Sequence, residues 1–255
     1  MSRPTARPTA PARSTSRPAS KAGRSSLKWR LIRWLLLLPL LLLVMIQCYF
    51  FVQIWWWSGH DPATTSFMRT QLSVLQQKNP KAVLKQTWVP YDRISTHLKR
   101  AVIASEDANF SEHEGVDWDA MQKAYEKNLK KSKVVAGGST ITQQLAKNLF
   151  LSGSRSYWRK GQELIIATML EYLMDKQRIF EIYLNVVEFG SGIFGAEAAA
   201  RHYYHVSAAS LGVAQSARLA VMLPNPRFFD RNQDSGYLAR RSSVILRRMG
   251  SAELP

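Results

Sequence analysis

The sequence predicts an all-α, mainly helical domain carried on one transmembrane helix, and three observations predict it. A basic, acid-free segment opens the chain. Twenty-four consecutive uncharged residues follow, from Trp34 to Trp57. Beyond residue 96, helix-capping residues and helical apolar spacings recur, while alternating strand patterns are scarce.

Residues 1–33 hold nine Lys/Arg and no acid among Pro, Ser, Thr and Ala, a composition too poor in apolar surface to order itself. They are expected to form a disordered cytoplasmic tail. Residues 34–57 are long enough to cross ~30 Å of hydrocarbon as a helix. A cleaved signal peptide would carry a shorter apolar region and a small-residue cleavage site. This segment instead ends in Ile54-Trp55-Trp56-Trp57, an aromatic belt suited to the interface, so an uncleaved anchor is expected. Cations before the span and none close behind it predict a cytoplasmic N-terminus and an exported domain. The single cysteine, Cys48, falls inside the span, so no disulfide is expected. Net charge is +17, of which the tail supplies nine, leaving +8 for residues 34–255. A basic face beside a membrane points to anionic headgroups or phosphates, and export argues against nucleic acid.

The soluble elements follow in order. Residues 63–79 read as a juxtamembrane helix or linker, and 85–91 (KQTWVPY) as one short strand ended by Pro90. Leu98, Ala101, Val102 and Ile103 give residues 97–107 one apolar helical face. Asp117 is placed to cap a helix to about Lys130, and Thr140 with Gln143 forms a capping box for a helix through Phe150. Further helices are expected at roughly 155–174, 176–186, 195–204, 207–222 and 236–249, with Ser207 capping the fourth and Pro224 and Pro226 stopping it.

Four stretches carry groups capable of chemistry. Glu106 ends an apolar helix, where desolvation would raise its pKa into the range of a proton-transfer group; a solvated helix end is the plainer reading. In GGSTITQQLAKN (137–148), Gly137 and Gly138 free the backbone for close approach or positive φ. Ser139 and Thr140 mark a helix start, Gln143 and Gln144 offer neutral donors and acceptors to a sugar, and Lys147, Arg155, Arg159 and Lys160 follow as cations. An ordinary capped helix with solvated cations accounts for the same pattern. Glu163 shares a helix face with Arg159 and Lys160, as a surface ion cluster or as a carboxylate in a cleft. At 176–196, Glu181, Tyr183, Asn185 and Glu188 lie among core residues and glycines, and read as structure and a helix exit. The histidines form no metal-ligand pattern.

Taken together, E-D-x-x-F-x-x-H-x-G (106–115), G-G-S-T-I-T-Q-Q-x-x-K (137–147), R-K-x-x-E (159–163), K-x-x-I-x-E-x-Y-L-N-x-x-x-F-G (176–190) and A-x-L-A-x-x-L-P-x-P (217–226) resemble the five blocks of the peptidoglycan glycosyltransferases, glycosyltransferase family 51. The resemblance covers nearly all of the soluble part. With no transpeptidase module following, the chain resembles the monofunctional, membrane-anchored branch. It implies a lysozyme-like domain over 85–255 with a small membrane-dipping jaw lobe, joined by a linker or jaw-side helix (58–84) to the anchor. It also implies polymerisation of lipid II with inversion and loss of undecaprenyl pyrophosphate, with Glu106 as base. Lys147, Arg155, Arg159 and Lys160 would neutralise the leaving group, Glu163, the second catalytic carboxylate, would orient those cations or a divalent ion such as Mg or Mn, or polarise the leaving group, and Ser139, Thr140, Gln143, Gln144 and Asn148 would line the cleft. No obligatory cofactor is expected. The implied partners are lipid II, the growing strand and the bilayer, with room for penicillin-binding and division proteins, and the implied place is the bacterial inner membrane. A glycan-cleaving lytic transglycosylase and an inactive wall-synthesis scaffold are the two rival readings. The first has no use for a cation cluster, and the second should have lost one of Glu106, Glu163, Lys147 or Arg159.

Overall fold

The computed structural model describes residues 22–131, 137–151 and 156–255. The chain divides into two units, one ending at Cys48 and one running from Tyr49 to Pro255.

Helix α1, Ala22–Gly59, runs through both. Its stretch Trp29–Gly59 is 31 residues long, apolar and long enough to cross a membrane. Helical backbone starts at Ala22, inside the segment expected to be disordered. Extending an existing helix costs far less than nucleating one, so the apolar run propagates backwards through the basic residues. Pro39 stands within the helix without breaking it.

In the second unit, the last turns of α1 are anchored by packing. Ile54 is fully buried, and Phe50 and Trp57 set their rings 4.8 and 5.3 Å from Phe150. Arg178 donates to the carbonyls of Trp57 (3.0 and 3.1 Å) and His60 (2.7 Å), satisfying acceptors that a helix end leaves free.

Among the described residues ten more helices follow: α2 (Ser66–Lys78), α3 (Thr96–Glu106), α4 (Trp118–Lys130), α5 (Ile141–Phe150), α6 (Tyr157–Leu173), α7 (Lys176–Val186), α8 (Ala196–Tyr204), α9 (Val213–Met222), α10 (Pro226–Arg231) and α11 (Gly236–Arg248). The caps explain most starts. Thr65, Ser95, Asp117, Thr140, Ser156 and Asp175 each accept a first-turn amide through the side chain. Helix α7 is the hub of the core. Ile179, Phe180, Ile182, Tyr183, Leu184 and Val186 are all fully buried, while Gln177 in its first turn stays exposed. The fold is the mainly helical one expected.

A small sheet accompanies the helices, with order β1-β3-β2: β1 (Lys85–Gln86) runs parallel to β3 (Ile193–Phe194), and β2 (Glu188–Gly190) antiparallel to it. The expected strand at 85–91 is only two residues long, because its partner β3 offers just Ile193 and Phe194 to pair with, and Pro90 then leads into a 3-10 turn at Tyr91–Arg93. The expected helix exit after residue 186 is this β2–β3 hairpin, turned at Gly192 with φ 74°. Gly195, φ 82°, begins α8 so close to α7 that a Cβ would sit 2.6 Å from the Asn185 carbonyl oxygen.

The single helix expected over 207–222 is two elements. A 3-10 turn covers Ala208–Ser210, and α9 starts afresh after Gly212, whose amide donates to Gln215 Oε1 at 2.9 Å. Ser207 does not cap through its side chain; its hydroxyl pairs with that of Ser210 at 2.8 Å. Ser95 donates to the Leu211 carbonyl at 2.8 Å and Ala208 donates to Glu197 at 2.6 Å, so tertiary bonds hold this corner open. Pro226 opens a short α10 that the sequence reading did not foresee, since proline is tolerated in a first turn.

Candidate active site

Helix α5 organises the site, and Asp107 sets where it starts. The Asp107 carboxylate, buried at the end of α3, accepts the Ile141 amide at 2.9 Å and His113 Nε2 at 3.0 Å. A negative charge there meets the positive end of the α5 dipole. Thr140 accepts the Gln143 amide and donates to the Gly115 carbonyl at 2.6 Å. The capping box is only half formed, because the Gln143 side chain turns elsewhere. Neither Gly137 nor Gly138 has positive φ. Gly138 sits in close packing instead: a Cβ there would lie 3.0 Å from the Cα of Met121 on α4.

From the first turn of α5, consecutive residues reach two different groups. Gln144 Nε2 donates to Glu106 Oε2 at 2.9 Å, while Tyr183, from α7, donates its hydroxyl to Gln144 Oε1 at 3.0 Å. Ser105 donates to the other Glu106 oxygen at 3.3 Å. Burial pushes the Glu106 carboxyl above its usual range, opposed by the bonds from Gln144 and Ser105 and by the Arg241 guanidinium, and assisted by Asp107. Such a carboxylate is more basic than one in water. Gln144 is therefore committed to Glu106 rather than left free for a sugar.

Gln143 is fully buried and joins the second group. Lys160 Nζ lies 2.5 Å from Glu163 Oε1, 3.1 Å from Gln143 Oε1 and 3.0 Å from Ser139 Oγ. Arg159 reaches Glu163 Oε2 at 3.3 Å. Glu163 is 4% exposed, so this is a buried carboxylate held between two cations and not a surface ion cluster. Gln143 Nε2 and Arg159 Nε are buried with no partner among the described residues, leaving donors turned inward for an incoming acceptor. Arg155, expected with these cations, lies outside the described residues.

Lys147 and Asn148 line a cavity of about 290 Å³ together with Gln144, Phe67, Glu188 and Arg227. The last two were not foreseen as site residues. Arg227 on α10 holds the 5%-exposed Glu188 of β2 at 2.9–3.1 Å through Nε and Nη2. Burial raises the Glu188 pKa, and Arg227 opposes the rise. An acidic residue seven places after Glu181 and beside three glycines gives no sequence signal of a partner so distant. Tyr183 was likewise hidden within an apolar run.

The donor set does not suit a protein-held divalent ion. Glu163 already gives both oxygens to cations, and no group of three His, Cys, Asp or Glu converges among the described residues. What the arrangement can do is take a proton at Glu106 and neutralise an anion near Lys147, Arg159 and Lys160.

A family model described as transglycosylase matches residues 72–250. The chain is similar to the biosynthetic peptidoglycan transglycosylase of Janthinobacterium sp. (strain Marseille), with 73% identity over 226 residues, 89% of this chain and 98% of that protein. It is also similar to that of Herminiimonas arsenicoxydans, at 71% identity over the same shares. The Methylobacillus flagellatus protein of the same name is 61% identical over 86% of this chain and 96% of its own length.

Proposed function

The chain belongs to the transglycosylase family, and from that premise we propose that it polymerises lipid II at a membrane surface through base catalysis by Glu106. It is a peptidoglycan glycosyltransferase with a lysozyme-like, mainly helical domain, and its product is the glycan strand.

In the proposed reaction, the 4-hydroxyl oxygen of the acceptor sugar attacks the anomeric carbon of the strand's terminal sugar. That carbon releases its bond to the pyrophosphate oxygen and inverts. The hydroxyl proton passes to Glu106, whose raised pKa suits the transfer. The leaving group departs as an anion, so it calls for positive charge more than for a proton. Lys147, Arg159 and Lys160 supply it, with Arg155 assigned on sequence alone. Glu163 fixes Arg159 and Lys160, and Ser139 and Gln143 steady Lys160 from the other side. Thr140 shapes the start of α5, and Asn148 faces the cavity.

The observation that carries this reading is the division of labour on α5: Gln144 serves a desolvated carboxylate, while its neighbour Gln143 serves a cation cluster. A glycan-cleaving enzyme would protonate a sugar leaving group and need no such cluster.

The organisation we propose is a cytoplasmic tail (1–33), an inner-membrane span (34–57), a linker or jaw-side helix (58–84) and a periplasmic catalytic domain (85–255). Supporting it, Trp118, Tyr125 and Leu129 stand exposed on one face of α4, and Tyr157 and Trp158 at the start of α6, as aromatic and apolar groups suited to an interface. A finished strand needs cross-linking, which makes penicillin-binding and division proteins the proposed partners.

Fluorescent lipid II incubated with the detergent-solubilised protein tests the reading. The expected product is a ladder of strands, abolished by moenomycin and by Glu106→Gln. Full activity in a folded Glu106→Gln variant would overturn the base assignment.

A further inference from the structure

Tyr183 is fully buried on α7, and its hydroxyl has one hydrogen-bond partner among the described residues, Gln144 Oε1 at 3.0 Å. That contact holds the far end of the Gln144 amide. A side-chain amide can present either end and a phenol can donate or accept, but an ionised carboxylate only accepts, so Glu106 takes the Nε2 end and leaves Oε1 to accept the Tyr183 O–H. With Oε1 turned to Tyr183, Nε2 faces Glu106 and donates at 2.9 Å. Hydrogens run one way along the chain, from phenol to amide to carboxylate.

We propose that Tyr183 is the positioning residue of this glycosyltransferase: it locks the Gln144 amide so that Glu106 Oε2 is held, leaving Oε1, which accepts only the longer bond from Ser105, to take the proton of the acceptor hydroxyl. The proposal rests on the assignment of Glu106 as base. Tyr183 touches no substrate and acts only through Gln144.

Burial and the neighbouring Glu106 and Asp107 carboxylates push the Tyr183 phenol well above its ordinary range, so it stays a donor throughout the working pH range. Around Glu106, Arg241 of α11 favours the carboxylate, adjacent Asp107 disfavours it, and α9 presents the Ala220 carbonyl to Ser105. Against that background the donated amide bond favours the ionised base. Its loss moves the Glu106 pKa upward and the acid limb of kcat with it, because the base must be deprotonated to act.

The test is a cycle of Tyr183→Phe, Gln144→Met and the double variant, each assayed for kcat and KM on lipid II across pH, with Tm recorded. Tyr183→Phe is expected to move the acid limb of kcat up by a few tenths to about one pH unit, with KM little changed. Gln144→Met should move it by about one unit, and Tyr183→Phe should add nothing in that background. A Tyr183→Phe variant with lowered Tm but an unmoved limb would leave Tyr183 as packing alone and overturn the proposal. So would equal, additive shifts in the two backgrounds. If Tyr183→Phe does not fold, Gln144→Met decides, since an unmoved limb there also refutes the relay. Activity in Glu106→Gln would instead sink the base assignment, so the two failures are distinguishable.

Discussion

Glu188 and Arg227 meet side-on in the cavity wall, two guanidinium nitrogens at 2.9–3.1 Å from the carboxylate, and join the β2 strand to α10 across thirty-nine residues of sequence. Glu188 is almost fully buried, whereas the Arg227 side chain is 40% exposed, so the pair is only partly desolvated. Arg227→Ala would strand the carboxylate, at a cost of about 1–3 kcal/mol after allowing for solvent at the arginine. The cost depends on pH. Burial has already raised the folded-state pKa of Glu188 above its unfolded value, and removing Arg227 raises it further. Protonation relieves the stranded charge, so the deficit is small near pH 4 and grows as pH rises through the folded pKa. Thermal melts of both proteins at pH 4.5 and 8 check this, and a deficit that is larger at pH 4.5 would contradict it.

Lys147→Ala is expected to lower turnover by about ten- to a hundredfold through loss of charge at the leaving group. We also expect weaker binding of the phosphoglycolipid moenomycin, on the proposal that Lys147 meets its phosphate as it meets the leaving group. Titration of labelled moenomycin reads this directly, and an unchanged affinity would remove Lys147 from the phosphate role.

Asp107→Asn should act through α5. It removes the charge that Ile141 and His113 share, at about 1–2 kcal/mol, and loosens the turn that carries Gln143 and Gln144. Hydrogen exchange is expected to quicken at the α5 N-terminus first. Uniform quickening across the domain would show that Asp107 serves global stability only.

How far the sequence could be read depended on the range of the interactions. Local signals held: Asp117 and Thr140 cap the helices expected of them, and α7 spans residues 176–186 as its spacing predicts. Glu106, Lys147 and Glu163 could be singled out as candidates because their motifs are compact, and their roles stand as proposals. Ser207 failed as a cap because Ser95 and Glu197, distant in sequence, decide that corner. Glu188 looked structural because its partner lies on α10, and Tyr183 looked like core because a buried aromatic in an apolar run gives no sign of its hydroxyl's partner. Pairing chemistry at long range leaves no period in the chain.

The two glycines before α5 make the last contrast. Both read from sequence as freedom for a ligand-facing backbone, yet only one is crowded. A Cβ on Gly138 would meet the Met121 Cα at 3.0 Å, Met121 Cγ at 3.3 Å and the Ala124 methyl at 3.4 Å, whereas at Gly137 nothing lies within 4 Å. Backbone atoms of α4 cannot rotate aside as a side-chain tip can, so Gly138→Ala must push α4 away from the start of α5. That is overpacking, with a cost of about 1–3 kcal/mol. Gly137→Ala, at an open site with no positive φ, should be neutral or slightly stabilising by limiting the unfolded chain. Melting temperatures of the two variants under one condition separate the cases. Equal losses at both positions would mean that backbone freedom, rather than the approach of α4, is what these glycines provide.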